Sequence, residues 1–136
     1  MTQKAVILIK STVDGEQAVR EYRGEYRYKN GAHNFVYTDY AGNAVTKNAV
    51  EATPTQMLLH RSGAISGDML FDPLTDTVTR YDAFMVTHGF LVHTYQYTVK
   101  EEGNQILIDL KYGLNDSTAE EICGEQNIAI TLGEAI

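Results

Sequence analysis

One cysteine, Cys123, stands in 136 residues, so no disulfide can form within the chain, in keeping with a reducing compartment. Its side chain reads as a small buried or half-buried apolar group. Only two prolines occur, and no segment keeps apolar residues three and four apart for the length of a helix. Long apolar runs are missing as well. Ala5-Val-Ile-Leu-Ile9 is too short for a membrane span or the core of a secretory leader, and no small-residue cleavage site follows it, so a cytoplasmic protein is expected, without membrane association. Positive charge is scarce: 11 Lys and Arg against 18 Asp and Glu give a net charge of −7, which excludes a general phosphate-binding surface and hence nucleic acid as a partner. Phosphate-binding loops, a Gly-x-Ser-x-Gly elbow, His-Glu-x-x-His and Cys-x-x-Cys are all absent, so no motif names a reaction or a cofactor.

What is present is strand. Runs rich in Val, Ile, Thr, Tyr and Phe are separated by turn signals at Asp14-Gly15, Asn30-Gly31, Gly42-Asn43, Asp72–Asp76 and Glu102-Gly-Asn104. They predict a single all-β domain over 1–136, an antiparallel barrel of about eight to ten strands. Asn115–Glu121, with Ser117 and Glu120 at capping-box spacing, reads as one helical turn or as a loop.

Asn30-Gly31 is the strongest local signal, because a two-residue type I′ turn needs positive φ at both positions. It pairs Lys29 with Ala32, Tyr28 with His33, Tyr26 with Phe35, Gly24 with Tyr37 and Tyr22 with Asp39 on one face. Glu21, Arg23, Glu25 and Arg27 fall on the other face, which belongs in water, so the tyrosine row points inward.

A second hairpin follows from a two- or four-residue turn around Glu101–Asn104. It pairs Val99 with Ile106, Tyr97 with Ile108, Tyr95 with Leu110 and His93 with Tyr112 on the apolar face. Thr94, Gln96, Thr98, Asp109 and Lys111 are left outside. Tyr26, Phe35, Tyr95, Ile108, Leu110 and Ile130 are expected to be buried, and Arg23, Glu25, Asp109 and Lys111 exposed.

Both hairpins therefore aim tyrosines and a histidine inward, where each hydroxyl left without a partner costs roughly 1–3 kcal/mol. Such a lining suits an interior that holds water or a small apolar or amphipathic molecule, or else a core whose hydroxyls project beyond the barrel ends or bond backbone carbonyls. Tyr26, Tyr37, His93, Tyr95 and Tyr112 are the candidate walls of a ligand space. Arg61 shares parity with Met57 and Leu59; pointing inward, it would need Asp39 or the anionic end of a ligand beside it, and otherwise it snorkels into solvent at the barrel end. Arg80 alternates with Tyr81 and reads as outward, and His88, next to Gly89, as part of a turn. No spacing among His33, His60, His88 and His93 supports a metal site. Ala5–Ile9 is apolar on both faces, so its outer face calls for cover by the chain itself or by a second subunit in a homodimer.

The order of features resembles the YwiB-like family of uncharacterised bacterial calycin-like (lipocalin-like) β-barrels. The residues that carry the resemblance are Tyr26-Arg-Tyr-Lys-Asn-Gly31 with Phe35-Val-Tyr37, Leu59-His-Arg-Ser-Gly63 with Met69-Leu-Phe71, Thr87-His-Gly-Phe-Leu91, Gly103–Tyr112 and Asn127–Leu132. The resemblance implies the barrel and no activity. A binding module is the reading the residues favour. The alternative is a filled barrel acting through its outer surface or as a homodimer, and an enzyme using His93 or His33 comes third.

Overall fold

The computed structural model describes residues 2–83, 85–116 and 121–133, and among these every regular element is a strand. In chain order they are β1 (Gln3–Val13), β2 (Glu16–Lys29), β3 (Ala32–Ala41), β4 (Ala44–Ala52), β5 (Met57–Gly63), β6 (Ile65–Phe71), β7 (Thr77–Ala83), β8 (Val86–Glu102), β9 (Gln105–Asn115) and β10 (Ile122–Leu132). Each strand pairs antiparallel with the next, and β10 returns to β1 to close the barrel. The Ser117–Glu120 capping signal lies outside the described residues.

Asn30 and Gly31 both adopt positive φ, and the predicted register from Lys29–Ala32 to Tyr26–Phe35 forms. It stops one pair later, at Glu25–Val36, so the expected pairs of Gly24 with Tyr37 and Tyr22 with Asp39 are not made. At Gly24 the two backbones come so close that a Cβ would overlap the Val36 carbonyl oxygen. Beyond it, Glu16–Gly24 pair with β1 alone, and the rings of Tyr22 and Tyr37 meet with centroids 4.5 Å apart beneath the split. Tyr28, at the rim, is exposed rather than turned inward.

The second hairpin turns on Gly103-Asn104 and pairs Val99 with Ile108 and Tyr97 with Leu110, two residues from the expected register. A shift of two preserves the face, so Tyr97, Ile108 and Leu110 are buried and Asp109 and Lys111 exposed, as expected. At Tyr95 the expectation fails. Thr94 pairs with Tyr112 and Gln96 with Lys111, which leaves Tyr95 as the extra residue of a β-bulge. The bulge reverses the parity of everything before it: Thr94 is buried, Tyr95 is 56% exposed, and His93 turns to the outer side. Cys123 is exposed, and His88 lies within β8, opposite Tyr81.

One half of the interior is filled. Ile7, Phe35, Met57, Val92, Ile108, Leu110 and Ile130 are almost wholly withdrawn from solvent, each worth about 1.5–3 kcal/mol if fully buried. On the outside, Val6 and Leu8 are half-buried, with Arg23 and Thr131 flanking the first and Glu21 and Ala129 the second.

Candidate functional site

Because facing residues of neighbouring strands lie level, the registers can be read as successive rows across β3 to β7. His33, Ala52, Met57 and Phe71 form one row; Phe35, Val50, Leu59 and Met69 form the next, which is wholly apolar. Two residues further along each strand the chemistry changes. Tyr37, Asn48, Arg61, Gly67 and Tyr81 make a third row, followed by Asp39, Thr46 and Gly63. The barrel thus has a packed half and a polar half, and Arg61 stands at the centre of the polar one.

Arg61 is half-buried, its guanidinium carbon 5.3 Å from the centroid of the Tyr81 ring. Gly67, facing it on β6, gives that ring its place: φ is +142°, and a Cβ would run into the Arg80 carbonyl oxygen and the Tyr81 ring. The positive charge reaches four hydroxyls. Burial pushes Tyr37 up to about 12 and raises Tyr81 and Tyr112, while Arg61 draws all three back down. Tyr22 is raised by burial and by Asp39, against a smaller opposing effect of Arg20 and Arg61. Asp39, the expected partner of Arg61, sits against Tyr22 instead. Among the described residues no carboxylate lies within 4 Å of Arg61.

A cleft of about 770 Å³ opens where β2 leaves β3; most of its lining, Glu21, Arg23, Glu25, Lys47 and His60 among it, is on the outer face, and Tyr22, Gly24, Tyr37 and Asn48 are its members from the inward face. Asn48, 5% exposed, makes a single long hydrogen bond to the Thr46 carbonyl. On the opposite side of the polar half, Tyr112 packs on Phe71 and against Gly124, where a side chain would collide with its ring.

Of the six residues expected to share a site, Arg61, Tyr37 and Tyr112 come together. The other three do not. Tyr26 lies in the packed half, its hydroxyl 2.6 Å from His33 Nδ1. His93 Nδ1 is 2.6 Å from Asp76 Oδ1 on the outer side, and Tyr95 donates to Glu121 Oε1 at 2.5 Å, a bond that pushes its hydroxyl up to about 12. A niche of about 310 Å³ beside Tyr95 is lined by Tyr112, Lys111, Cys123 and Glu125 among others, and burial, then Glu121, raises the Cys123 thiol. Asn48, Tyr81 and Tyr22 were missing from the expected set. Tyr22 and Tyr81 already carried inward parity, and the alternation Thr46, Asn48, Val50, Ala52 was the signal for Asn48. His60 bonds Asp68 on the outer face, and no three His, Cys, Asp or Glu side chains among the described residues gather as metal ligands would.

Residues 6–130 match the family described as Domain of unknown function (DUF1934). The chain belongs to this family. The crystal structure of the ywiB protein from Bacillus subtilis superposes with a TM-score of 0.83 at 20% identity, over 98% of this chain and 94% of that one, a likeness of fold. No curated protein matches. The fold of this chain is thus a closed antiparallel barrel of ten strands, of the calycin-like kind in its architecture, and its polar half carries Arg61. No helix among its described residues is long and apolar enough to cross a membrane.

Proposed function

We propose that this protein is a binding module for a small molecule with an apolar body and an anionic end, seated in the polar half of the barrel. One observation carries the reading: a half-buried guanidinium stands among tyrosines with no carboxylate within 4 Å among the described residues. A cation in that setting gains most from a bound carboxylate or phosphate, which accepts charge-assisted hydrogen bonds in place of lost water. Tyr37, Tyr81 and Tyr112 keep their protons well above neutral pH and so remain donors to the same anion. The cleft between β2 and β3 is the entry this reading assigns, since it touches the polar half at Tyr22, Tyr37 and Asn48. The apolar row of Phe35, Val50, Leu59 and Met69, one step deeper, meets the body of the ligand.

Calorimetric titration with decanoate and with decanol tests this. Binding of the acid at least tenfold tighter than that of the alcohol, abolished by Arg61→Met, is the expected result; equal affinities, or no binding of either, would remove the anion-anchor reading. The filled half of the barrel favours a second reading, a packed scaffold acting through its outer surface. An acid–base site has less support, since His33 and His93 face different partners on opposite sides of the wall.

A further inference from the structure

The first half of β2 is an uncovered strand edge. Glu16–Gly24 pair with β1 on one side, and among the described residues nothing pairs with them on the other. Continuing the β2–β3 register would set Arg20 against Ala41, the last residue of β3, so Glu16–Val19 run past the end of their neighbour. Every residue from Glu16 to Glu21 is exposed, Val19 at 59%. The hairpin they belong to is well anchored. Asp14 and Gly15 both take positive φ in a two-residue turn, and β1 is covered by β10 as far as the Val13–Gly124 pair. An extended, firmly held strand with free main-chain donors and acceptors is a template for a further strand.

We propose that the occupant of this edge is a second copy of the same chain, joined through Glu16–Arg20 about a two-fold axis at Ala18. The charges single out this pairing. Two identical strands related by a two-fold run antiparallel, and the residue on the axis faces itself. With Ala18 on the axis, Glu16 of each copy faces Arg20 of the other, and Gln17 faces Val19. Placing Arg20 or Glu21 on the axis sets like charges directly opposite, which destabilises a ladder. Val19 on the axis gives no opposite-charge pair, and Gln17 on the axis would set Arg20 against Asp14, which lies in the turn and not on a strand. Tyr22 on the axis would join Glu21 to Arg23, but that part of β2 lies beside β3, with the Tyr22 ring against Tyr37. Ala18 on the axis faces itself without crowding, and a depression of about 440 Å³ lined by Ser11, Val13, Asp14, Glu16, Gln17 and Ala18 lies over the β1–β2 hairpin beside it. A foreign peptide could satisfy the main chain equally well but would leave this self-complementary arrangement without a role.

Sedimentation velocity of the full chain over a range from micromolar to several hundred micromolar, with four variants, tests the pairing. A concentration-dependent dimer is expected. Arg20→Glu sets Glu16 against a second carboxylate and should weaken the dimer roughly tenfold or more, and the charge swap Glu16→Arg with Arg20→Glu should restore it. In a Cys123→Ser background, Ala18→Cys should cross-link to a disulfide dimer under mild oxidation much faster than Gln17→Cys, because facing residues have Cβ atoms about 4.5–5.5 Å apart, near the spacing a disulfide needs. A monomer throughout, a dimer indifferent to Arg20→Glu, or equal cross-linking from both cysteine positions would overturn the proposal. None of these readouts depends on ligand binding, so the two proposals stand or fall separately.

Discussion

The hydroxyl of Tyr26 lies 2.6 Å from Nδ1 of His33, with both side chains buried in the packed half of the barrel. Burial lowers the His33 pKa from its ordinary value, and Glu101 opposes this in part. The unfolded chain protonates this group near its ordinary value of about 6.5, whereas the folded chain resists protonation. Between the lowered folded value and about 6.5 the unfolded state binds more protons, so the contribution of His33 is fully present above that window and is lost as pH falls through it. Urea midpoints measured from pH 7 to pH 5 should therefore fall less steeply for His33→Gln than for the parent chain. Parallel slopes would show that the ring already titrates as if exposed.

Arg61→Met should raise the pH at which Tyr37, Tyr81 and Tyr112 ionise, because the guanidinium favours their phenolate forms. Ultraviolet difference titration above pH 10 reads this directly. Folding stability should change little or rise, since an apolar chain of similar length takes the place of a half-buried charge. An unmoved tyrosine titration would mean that the guanidinium points away from the row.

Gly24→Ala should destabilise the barrel by roughly 1–3 kcal/mol, the usual cost of overpacking. Its Cβ would press on the Val36 carbonyl oxygen and come within 3.0 Å of Ile7 Cδ1. The change widens the split between β2 and β3, so hydrogen exchange should rise first at Glu25 and Val36, the last pair before the split. Uniform acceleration across the whole sheet would argue against a local junction.

Tyr95 and Tyr97 separate the two faces of the bulge. Tyr97 is 8% exposed, and its hydroxyl donates to the Thr53 carbonyl at 2.6 Å, so Tyr97→Phe should cost about 1 kcal/mol in chemical denaturation. Tyr95→Phe should leave the denaturation midpoint within error and leave ligand affinity unchanged. Loss of stability from Tyr95→Phe would place that ring indoors and remove the bulge.

Short-range chemistry was enough for the frame of this protein. Asn30-Gly31 names its turn type because few other pairs tolerate positive φ twice, and the alternation of Glu21, Arg23, Glu25 and Arg27 with tyrosines assigns the faces of β2 without knowledge of its neighbours. Phe35, Ile108, Leu110 and Ile130 were legible as core for the same reason. Tertiary structure decided where alternation stops. The bulge at Tyr95 inserts one unpaired residue and turns Tyr95 and His93 outward to Glu121 and Asp76, partners remote in sequence, and no local pattern marks it. The same holds at Gly24, where the approach of the Val36 carbonyl ends a ladder that pairing rules alone would continue. Parity showed that Arg61 could face inward. That it stands level with Tyr37, Asn48 and Tyr81, rather than beside Asp39, follows from the registers of five strands, each set by its own turn. A side chain's face is a property of one strand, whereas its company is a property of the closed barrel.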